Sequence, residues 1–359
     1  EDDAESHYKR AVNFFKKFKN IKKNINIYNN KRLRIAYFAA DFHQHAGMMN
    51  MLGIFKNHNK EKFEIYGFYY GDIKKDKMHM IVKKYFNKFF YINNLSDEEV
   101  SNLSRENSID IAIHRAGHSA KSRSSLFGHK LAPIQINYLG YPGTTGQNAI
   151  DYIIADKFVI PEKQKKYYSE KVIYFPKSFY PKDDNRKLSS TRFLRSELEI
   201  PEDAFVFCTF NNSYKISARE FRIWMNLLDD INNSYFLFLT DSDKMKNNIL
   251  SEAKKRNVDS KKIKFLDFIK PEDHLARHSL ADLFLDSFNY NAHTSAVDSL
   301  WAELPILTMS GKSFSSRICG SILMSLGIDE LVTFSEDEYN KKAIYFAKNR
   351  NALNKIKNK

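Results

Sequence analysis

The chain has 359 residues, 43% of them hydrophobic and 28% charged, enough for two domains that each bury a core. It contains no apolar run of about eighteen residues, the length a membrane-spanning helix needs, so no membrane is expected as a partner. The formal net charge of +14 admits nucleic acid or an anionic substrate. However, the basic residues are dispersed and lack an RNA-binding aromatic signature, so no nucleic acid is expected either.

Cys208 and Cys319 are the only cysteines, which fits neither a disulfide framework nor a paired-cysteine zinc site. A reducing, cytoplasmic location is expected. The chain opens on Glu-Asp-Asp-Ala-Glu without an initiator Met and stops inside a helical pattern, so it reads as an excerpt of a longer protein.

Residues 1–30 are basic and read as helical, with an uneven apolar stripe at Tyr8, Val12, Phe14, Phe15 and Phe18. Strands are expected at 32–39, 63–70, 89–92, 109–113 and 134–139, with helices at 47–57, 76–86 and 97–106 between them. Such alternation argues for a parallel, doubly wound sheet. The stretch 139–175 reads as loop-rich. The expected organisation is a helical tail over 1–30, a first Rossmann-like lobe over 31–180 and a polar, proline-bearing linker over 181–201. A second lobe follows over 202–345, and a cut C-terminal helix over 346–359. In the second lobe, strands are expected at 204–210, 235–239, 263–266, 283–285 and 306–308. Its helices are expected at 217–230, 244–256, 272–279, 294–303 and 314–326, with another from Glu336.

Neither lobe carries Gly-x-Gly-x-x-Gly or a Walker lysine motif, which argues against a dehydrogenase or a P-loop enzyme. Polar clusters instead follow several strands, where open α/β sheets bind ligands. Asp41-Phe-His-Gln-His45 follows the first strand, and His45 suits a base, a phosphate contact or an ordinary loop histidine. His114-Arg-Ala-Gly-His-Ser119 follows the fourth, with His118 as a second candidate. The glycine-rich turn Gly140-Tyr141-Pro142-Gly143-Thr144 follows the fifth, suiting either close backbone approach to a ligand or a plain tight turn.

In the second lobe, Asn211-Asn212-Ser-Tyr-Lys215 lies between a strand and a helix. Lys215 there suits either neutralisation of a leaving diphosphate or a solvated surface position. His274 and Arg277 open another helix; a base-stacking ring and a phosphate contact compete with an acidic first turn carrying exposed cations. The fullest signal is the segment Ala281–Arg317, in which His293, Thr294 and Ser295 stand at a helix start after a buried strand and a polar loop. A helix N-terminus holds phosphate well, and Thr or Ser there also serves as a simple cap.

Taken together and in order, these segments resemble the catalytic region of the O-linked N-acetylglucosamine transferase family, including its SPINDLY relatives. The resemblance rests on Leu33–Tyr37, Ala40–His45, Gly117–Ser119, Ala132–Gly146, Asp151–Asp156, Tyr168–Lys171, Phe210–Ile216 and Ala281–Arg317, and spans nearly all of 31–345. It implies an α/β fold of GT-B type, two Rossmann-like lobes facing a central cleft. It further implies inverting transfer of a sugar, typically N-acetylglucosamine from UDP-N-acetylglucosamine, to Ser or Thr of proteins, with no metal or other cofactor.

The same resemblance makes Lys215 the stabiliser of the leaving diphosphate and His45 the candidate base, with His118 grouped beside them as catalytic. His293, Thr294 and Ser295 become phosphate ligands, Asp298 the ribose holder, and His274 and Arg277 the flank of the base and phosphates. Asn212 joins the donor set, and Gly140–Thr144 the loop near donor and acceptor. Upstream tetratricopeptide repeats are implied, with 1–30 as their tail.

His114, Asn212, Ser295 and Thr240-Asp241 depart from the pattern usual in the family, and these departures bear on which donor is used. GDP-fucose, a UDP-hexose, or a glycan or lipid acceptor are the alternatives, and a non-catalytic nucleotide- or peptide-binding module is a third reading. No insert separates the lobes, as in a bacterial-type member.

Overall fold

The computed structural model describes residues 2–16, 27–74 and 76–359. These fall into two compact units, Asp3–Asn185 and Arg186–Lys359.

The first unit opens with helix α1 (Ala4–Phe15), capped by the Asp3 side chain on the Ser6 N–H. Its buried positions are Ala4 and Ala11, not the aromatic stripe that the sequence suggests. Residues 27–30 are not helical, and Phe18 lies outside the described residues. The sheet strands are β1 (Leu33–Ala39), β2 (Phe63–Tyr69), β3 (Lys88–Tyr91), β4 (Ile111–His114), β5 (Ile134–Asn137), β6 (Tyr152–Ala155) and β7 (Lys171–Tyr174). Helices α2 (Ala46–Asn57), α3 (Lys77–Lys83) and α4 (Asp97–Glu106) connect the first four. All pairings are parallel, in the order β3-β2-β1-β4-β5-β6-β7.

Strands β1 and β2 end in five consecutive buried residues, the signature of a sheet covered on both faces. Phe38 of β1 stacks on Phe68 of β2 with ring centroids 4.4 Å apart, and Phe127 meets Phe38 edge-on at 5.6 Å. The stretch expected as loop after residue 139 contributes β6 and β7, which extend the sheet by two strands.

The second unit repeats the scheme. Its strands are β8 (Phe205–Thr209), β9 (Ser234–Leu239), β10 (Ile263–Leu266), β11 (Leu283–Leu285), β12 (Ile306–Met309) and β13 (Val332–Thr333), parallel in the order β10-β9-β8-β11-β12-β13. Around them lie α5 (Ala218–Asp230), α6 (Asp243–Lys254), α7 (Pro271–Ala276), α8 (Thr294–Trp301), α9 (Ile318–Ser325), α10 (Glu336–Lys348) and α11 (Arg350–Lys357). The strand order is that of a Rossmann fold, with the reversal between β8 and β11.

Trp224 of α5 is fully buried, and its indole N–H donates to the Tyr339 hydroxyl at 3.3 Å. That hydroxyl in turn donates to the Asp286 carbonyl just past β11, tying the core to the strand edge. Residues 186–201, expected as linker, are held against this unit: Arg195 donates to the Leu280 and Ala204 carbonyls and pairs with Asp282 at 3.0 Å. Among the described residues, no helix is long and apolar enough to cross a membrane.

Candidate active site

In the first unit, the carboxyl ends of β1, β4 and β5 carry the candidate residues. Asp41 follows β1 and takes Nη1 of the buried Arg115 at 2.9 Å on one oxygen, while its other oxygen lies 3.2 Å from His45 Nδ1. Burial works against the Asp41 charge, but Arg115 and His45 outweigh it and hold the carboxyl at about 2. His45 is the N-cap of α2, with Nδ1 also 3.2 Å from the Gly47 N–H, and its ring is half exposed. A proton on Nδ1 aimed at Asp41 leaves the Nε2 lone pair to act as a base; the other tautomer only caps the helix.

His114 is a core residue, stacked on Phe127 at 4.1 Å and paired through Nε2 with Ser124 Oγ at 3.2 Å. Burial and then the neighbouring His118 push it down to about 3. His118 donates from Nε2 to the Thr145 carbonyl at 2.9 Å and sits among the rings of Phe14, Phe15 and Tyr141. Burial lowers its pKa too, so Nδ1 is left as a neutral acceptor. A cavity of about 580 Å³ lies beside it, walled by Arg10 and Phe14 of α1, residues 117–119 and Tyr141.

The Gly140–Thr144 turn is held by its neighbours. Leu139 has φ +82°, a conformation costly for a branched side chain, and a Cβ on Gly140 would lie 1.5 Å from the Arg115 carbonyl oxygen. Tyr141 lies against His118, Pro142 is buried, and Asn137 donates to the Gly143 carbonyl at 3.0 Å. The Thr144 hydroxyl and the Thr145 N–H donate to the buried Glu170 carboxylate at 2.6 and 2.7 Å.

In the second unit, the loop between β11 and α8 is built around Asp286. This carboxylate is fully buried and accepts from Asn211 Nδ2 at 2.9 Å, Thr308 Oγ1 at 2.7 Å and the Ala292 N–H at 2.6 Å. Burial raises its pKa against those bonds. The loop so folded presents the Asn291 carbonyl to Lys215 Nζ at 2.9 Å, with the Tyr290 ring 4.4 Å from the ammonium. Lys215 is therefore no solvated surface lysine; burial pulls its pKa down to about 8, although the Asp286 charge acts the other way.

His293 occupies the N-cap of α8, stacks on Tyr290 at 4.7 Å and donates from Nε2 to the Ser315 carbonyl at 3.2 Å. No side chain caps α8, so Thr294 and Ser295 are the first residues of the helix and not its cap. Asp298, one turn on, is ion-paired to Arg186. Asn212 stands exposed ahead of the short turn carrying Lys215.

His274 lies edge-on to Phe210 at 5.3 Å and to His278 at 4.9 Å. Its Nδ1 accepts from Arg277 Nε at 2.9 Å. Burial foremost, then His278, Arg277 and Arg186, push it down to about 3, so it is a neutral ring suited to stacking. Arg277, expected at the phosphates, is turned inward: it is 3% exposed and donates Nη1 to the Asp267 carbonyl. In this state its guanidinium orients His274. Among the described residues, no group of three or more His, Cys, Asp or Glu could hold a metal ion.

The sequence singles out the segments that hold Asp286, Asp41 and Arg115 but gives these residues no role of their own, and it does not point to Arg186. The first three stand at strand ends, which was the available signal; Arg186 lay in a stretch read as linker.

Two parallel Rossmann-like sheets, with polar clusters at the carboxyl ends of their strands, define a GT-B type fold, the class to which many nucleotide-sugar glycosyltransferases belong. The model of glycosyl transferase family 41 matches residues 9–192 and 184–359, and the chain belongs to that family. It is 30% identical over 329 residues to an Arabidopsis thaliana protein named Probable UDP-N-acetylglucosamine-peptide N-acetylglucosaminyltransferase SEC, covering 90% of this chain and 34% of that protein. With the Arabidopsis thaliana protein named SPINDLY under the same description it shares 27% identity over 339 residues, covering 90% of this chain and 36% of that one. The chain thus spans about a third of these relatives' length. The fold matches that of a Thermobaculum terrenum O-GlcNAc transferase mutant with a TM-score of 0.90 at 20% identity, over 99% of this chain and 68% of the other.

Proposed function

We propose that this chain is the catalytic region of an inverting, metal-independent transferase that moves N-acetylglucosamine from UDP-N-acetylglucosamine to Ser or Thr hydroxyls of proteins. The observation that carries the reading is Lys215: a half-buried ammonium held by a carbonyl and an aromatic ring beside the start of α8, which no side chain caps. A positive charge and a helix start without a side-chain cap in one place suit a diphosphate. The reading of sugar and acceptor is supported by the name of the Arabidopsis thaliana relative, which carries UDP-N-acetylglucosamine and a peptide.

In the proposed step, the acceptor oxygen bonds to the anomeric carbon as the bond from that carbon to the diphosphate oxygen breaks. Charge grows on the leaving phosphate, where Lys215 and the α8 start stabilise it. The hydroxyl proton goes to a base, for which His45 Nε2 is the candidate, with Asp41 steadying the resulting imidazolium. Asp298 takes the ribose hydroxyls, His274 the base, and His118 and the Gly140–Thr144 turn flank the reacting groups. Upstream repeats in the full-length protein would select the acceptor, and the cytoplasm is the proposed location.

The test is calorimetric titration of the purified chain with UDP-N-acetylglucosamine, UDP-glucose and GDP-fucose. Binding of the first in preference to the others is expected. Uptake of GDP-fucose alone would transfer the reading to a fucosyl donor, and uptake of none would sink it.

A further inference from the structure

Residues 186–191 are a strap laid across the two helices that carry the candidate donor residues. The Trp301 indole N–H of α8 donates to the Arg186 carbonyl at 3.2 Å. At the other end, the Ser189 N–H donates to the Glu272 carbonyl of α7 at 3.2 Å, and the Thr191 hydroxyl to Asp273 at 3.1 Å. Between these anchors the Arg186 guanidinium pairs with Asp298, both side chains being largely buried, at 10% and 14% exposed. Its charge also reaches His274 and His278, so it stands on the nucleoside side of the cluster.

A largely buried carboxylate with no cation nearby is costly to keep charged, whereas one held by a guanidinium stays ionised and fixed in direction. A ribose hydroxyl donates more strongly to a carboxylate than to a neutral acceptor. We propose that Arg186 is a positioning residue of the nucleotide site, holding the Asp298 carboxylate charged and oriented to accept the hydroxyls of a nucleoside ribose. The proposal rests on the donor-site reading above, since it needs Asp298 at the ribose.

Calorimetry with UDP and with 2′,3′-dideoxy-UDP tests it on the intact chain and on Arg186→Gln, Arg186→Lys and Asp298→Asn, each checked by thermal unfolding. The unaltered chain should prefer UDP by about tenfold or more, the usual worth of hydrogen bonds to a charged group. Arg186→Gln should cut that preference to about threefold or less by weakening UDP while leaving the dideoxy nucleotide unchanged. Arg186→Lys, which keeps the charge but not the fork, should retain much of the preference.

A strap that served only to brace the helices would lower the melting temperature without moving the ratio of the two affinities. Full preference in Arg186→Gln, or equal weakening of both nucleotides, overturns the proposal alone. Should Arg186→Gln not fold, retention of much of the preference in Arg186→Lys upholds the proposal and its loss overturns it. No preference in the unaltered chain, or an unchanged one in Asp298→Asn, removes Asp298 from the ribose and takes the donor-site reading and the proposal down together.

Discussion

Lys215→Met separates a catalytic charge from a structural one, because the two roles predict opposite effects on stability. Burial lowers the Lys215 pKa from 10.5 to about 8. The folded chain therefore holds this charge at neutral pH at a cost on the order of 3 kcal/mol. The bond to the Asn291 carbonyl and the contact with Tyr290 return about 1–3 kcal/mol. Met has similar length and no charge, so the variant should unfold within about 1–2 kcal/mol of the parent at pH 7.

The sign of the pH dependence follows from the same shift. Below about pH 8 both folded and unfolded chains carry the proton, and the cost is fully present. Between about 8 and 10.5 the unfolded chain binds more protons, so the Lys215 contribution to stability rises with pH; above 10.5 it is constant. Urea unfolding across this range should show a rise in the parent that Lys215→Met lacks. Transfer should fall by about a hundredfold or more, as for removal of one preorganised charge stabiliser. In the parent, kcat/KM should decline above about pH 8, where the free ammonium loses its proton. A variant that turns over at the parental rate, or one several kcal/mol less stable at pH 7, refutes the assignment.

Asp41→Asn should leave the buried Arg115 guanidinium unpaired, at a cost of about 3 kcal/mol in unfolding free energy near neutral pH. The Asp41 carboxyl is held at about 2, below its usual 3.8, so its stabilisation is present above pH 4 and fades as pH falls through 2. Acid unfolding followed by circular dichroism should be shallower in the variant, and identical curves would contradict the pairing. Gly140→Ala places a Cβ 1.5 Å from the Arg115 carbonyl oxygen, so poor folding or a melting temperature several degrees lower is expected. Gly146 has φ +72°, and a Cβ there would lie 2.4 Å from the Ala11 backbone. Gly146→Ala should accordingly loosen α1, and hydrogen exchange over Ala4–Phe15 that stays as slow as in the parent would count against that packing.

Much of the architecture was readable because buried parallel strands are continuous apolar runs: Phe205–Thr209 is buried at every position. Strands β6 and β7 escaped because the edge strand Lys171–Tyr174 alternates exposed and half-buried residues and carries Lys, Tyr and no flanking helical period. Two residues, Val332 and Thr333, are too few for any periodicity to declare β13. In α1 the aromatic residues drew attention, but close approach to Gly146 requires small side chains, and Ala4 and Ala11 form the buried face. Residue types at strand ends pointed to the site, yet the state of each group depended on partners far away in sequence. Nothing near Lys215 announces that residues 290 and 291 bury it, or that Arg186 answers Asp298.

The contrast between Lys215 and two other cations of these clusters, Arg115 and Arg186, is the reason Lys215 fits the proposed leaving-group role. Arg115 and Arg186 are each answered by a carboxylate, Asp41 and Asp298, so their charge is spent inside the protein and serves to orient the partner. Lys215 is answered by a carbonyl and a ring, which hold an ammonium in place without cancelling it. Asp286 is near enough to be felt, but it is fully buried and committed to Asn211, Thr308 and the Ala292 N–H, so it shapes the loop and does not bond the lysine. The histidine beside it, His293, is kept neutral by burial and by Lys215 itself, and so adds a polar contact but no competing charge. Near the start of α8, Lys215 thus holds its positive charge without a carboxylate bonded to it, an arrangement in which developing negative charge on a phosphate gains much.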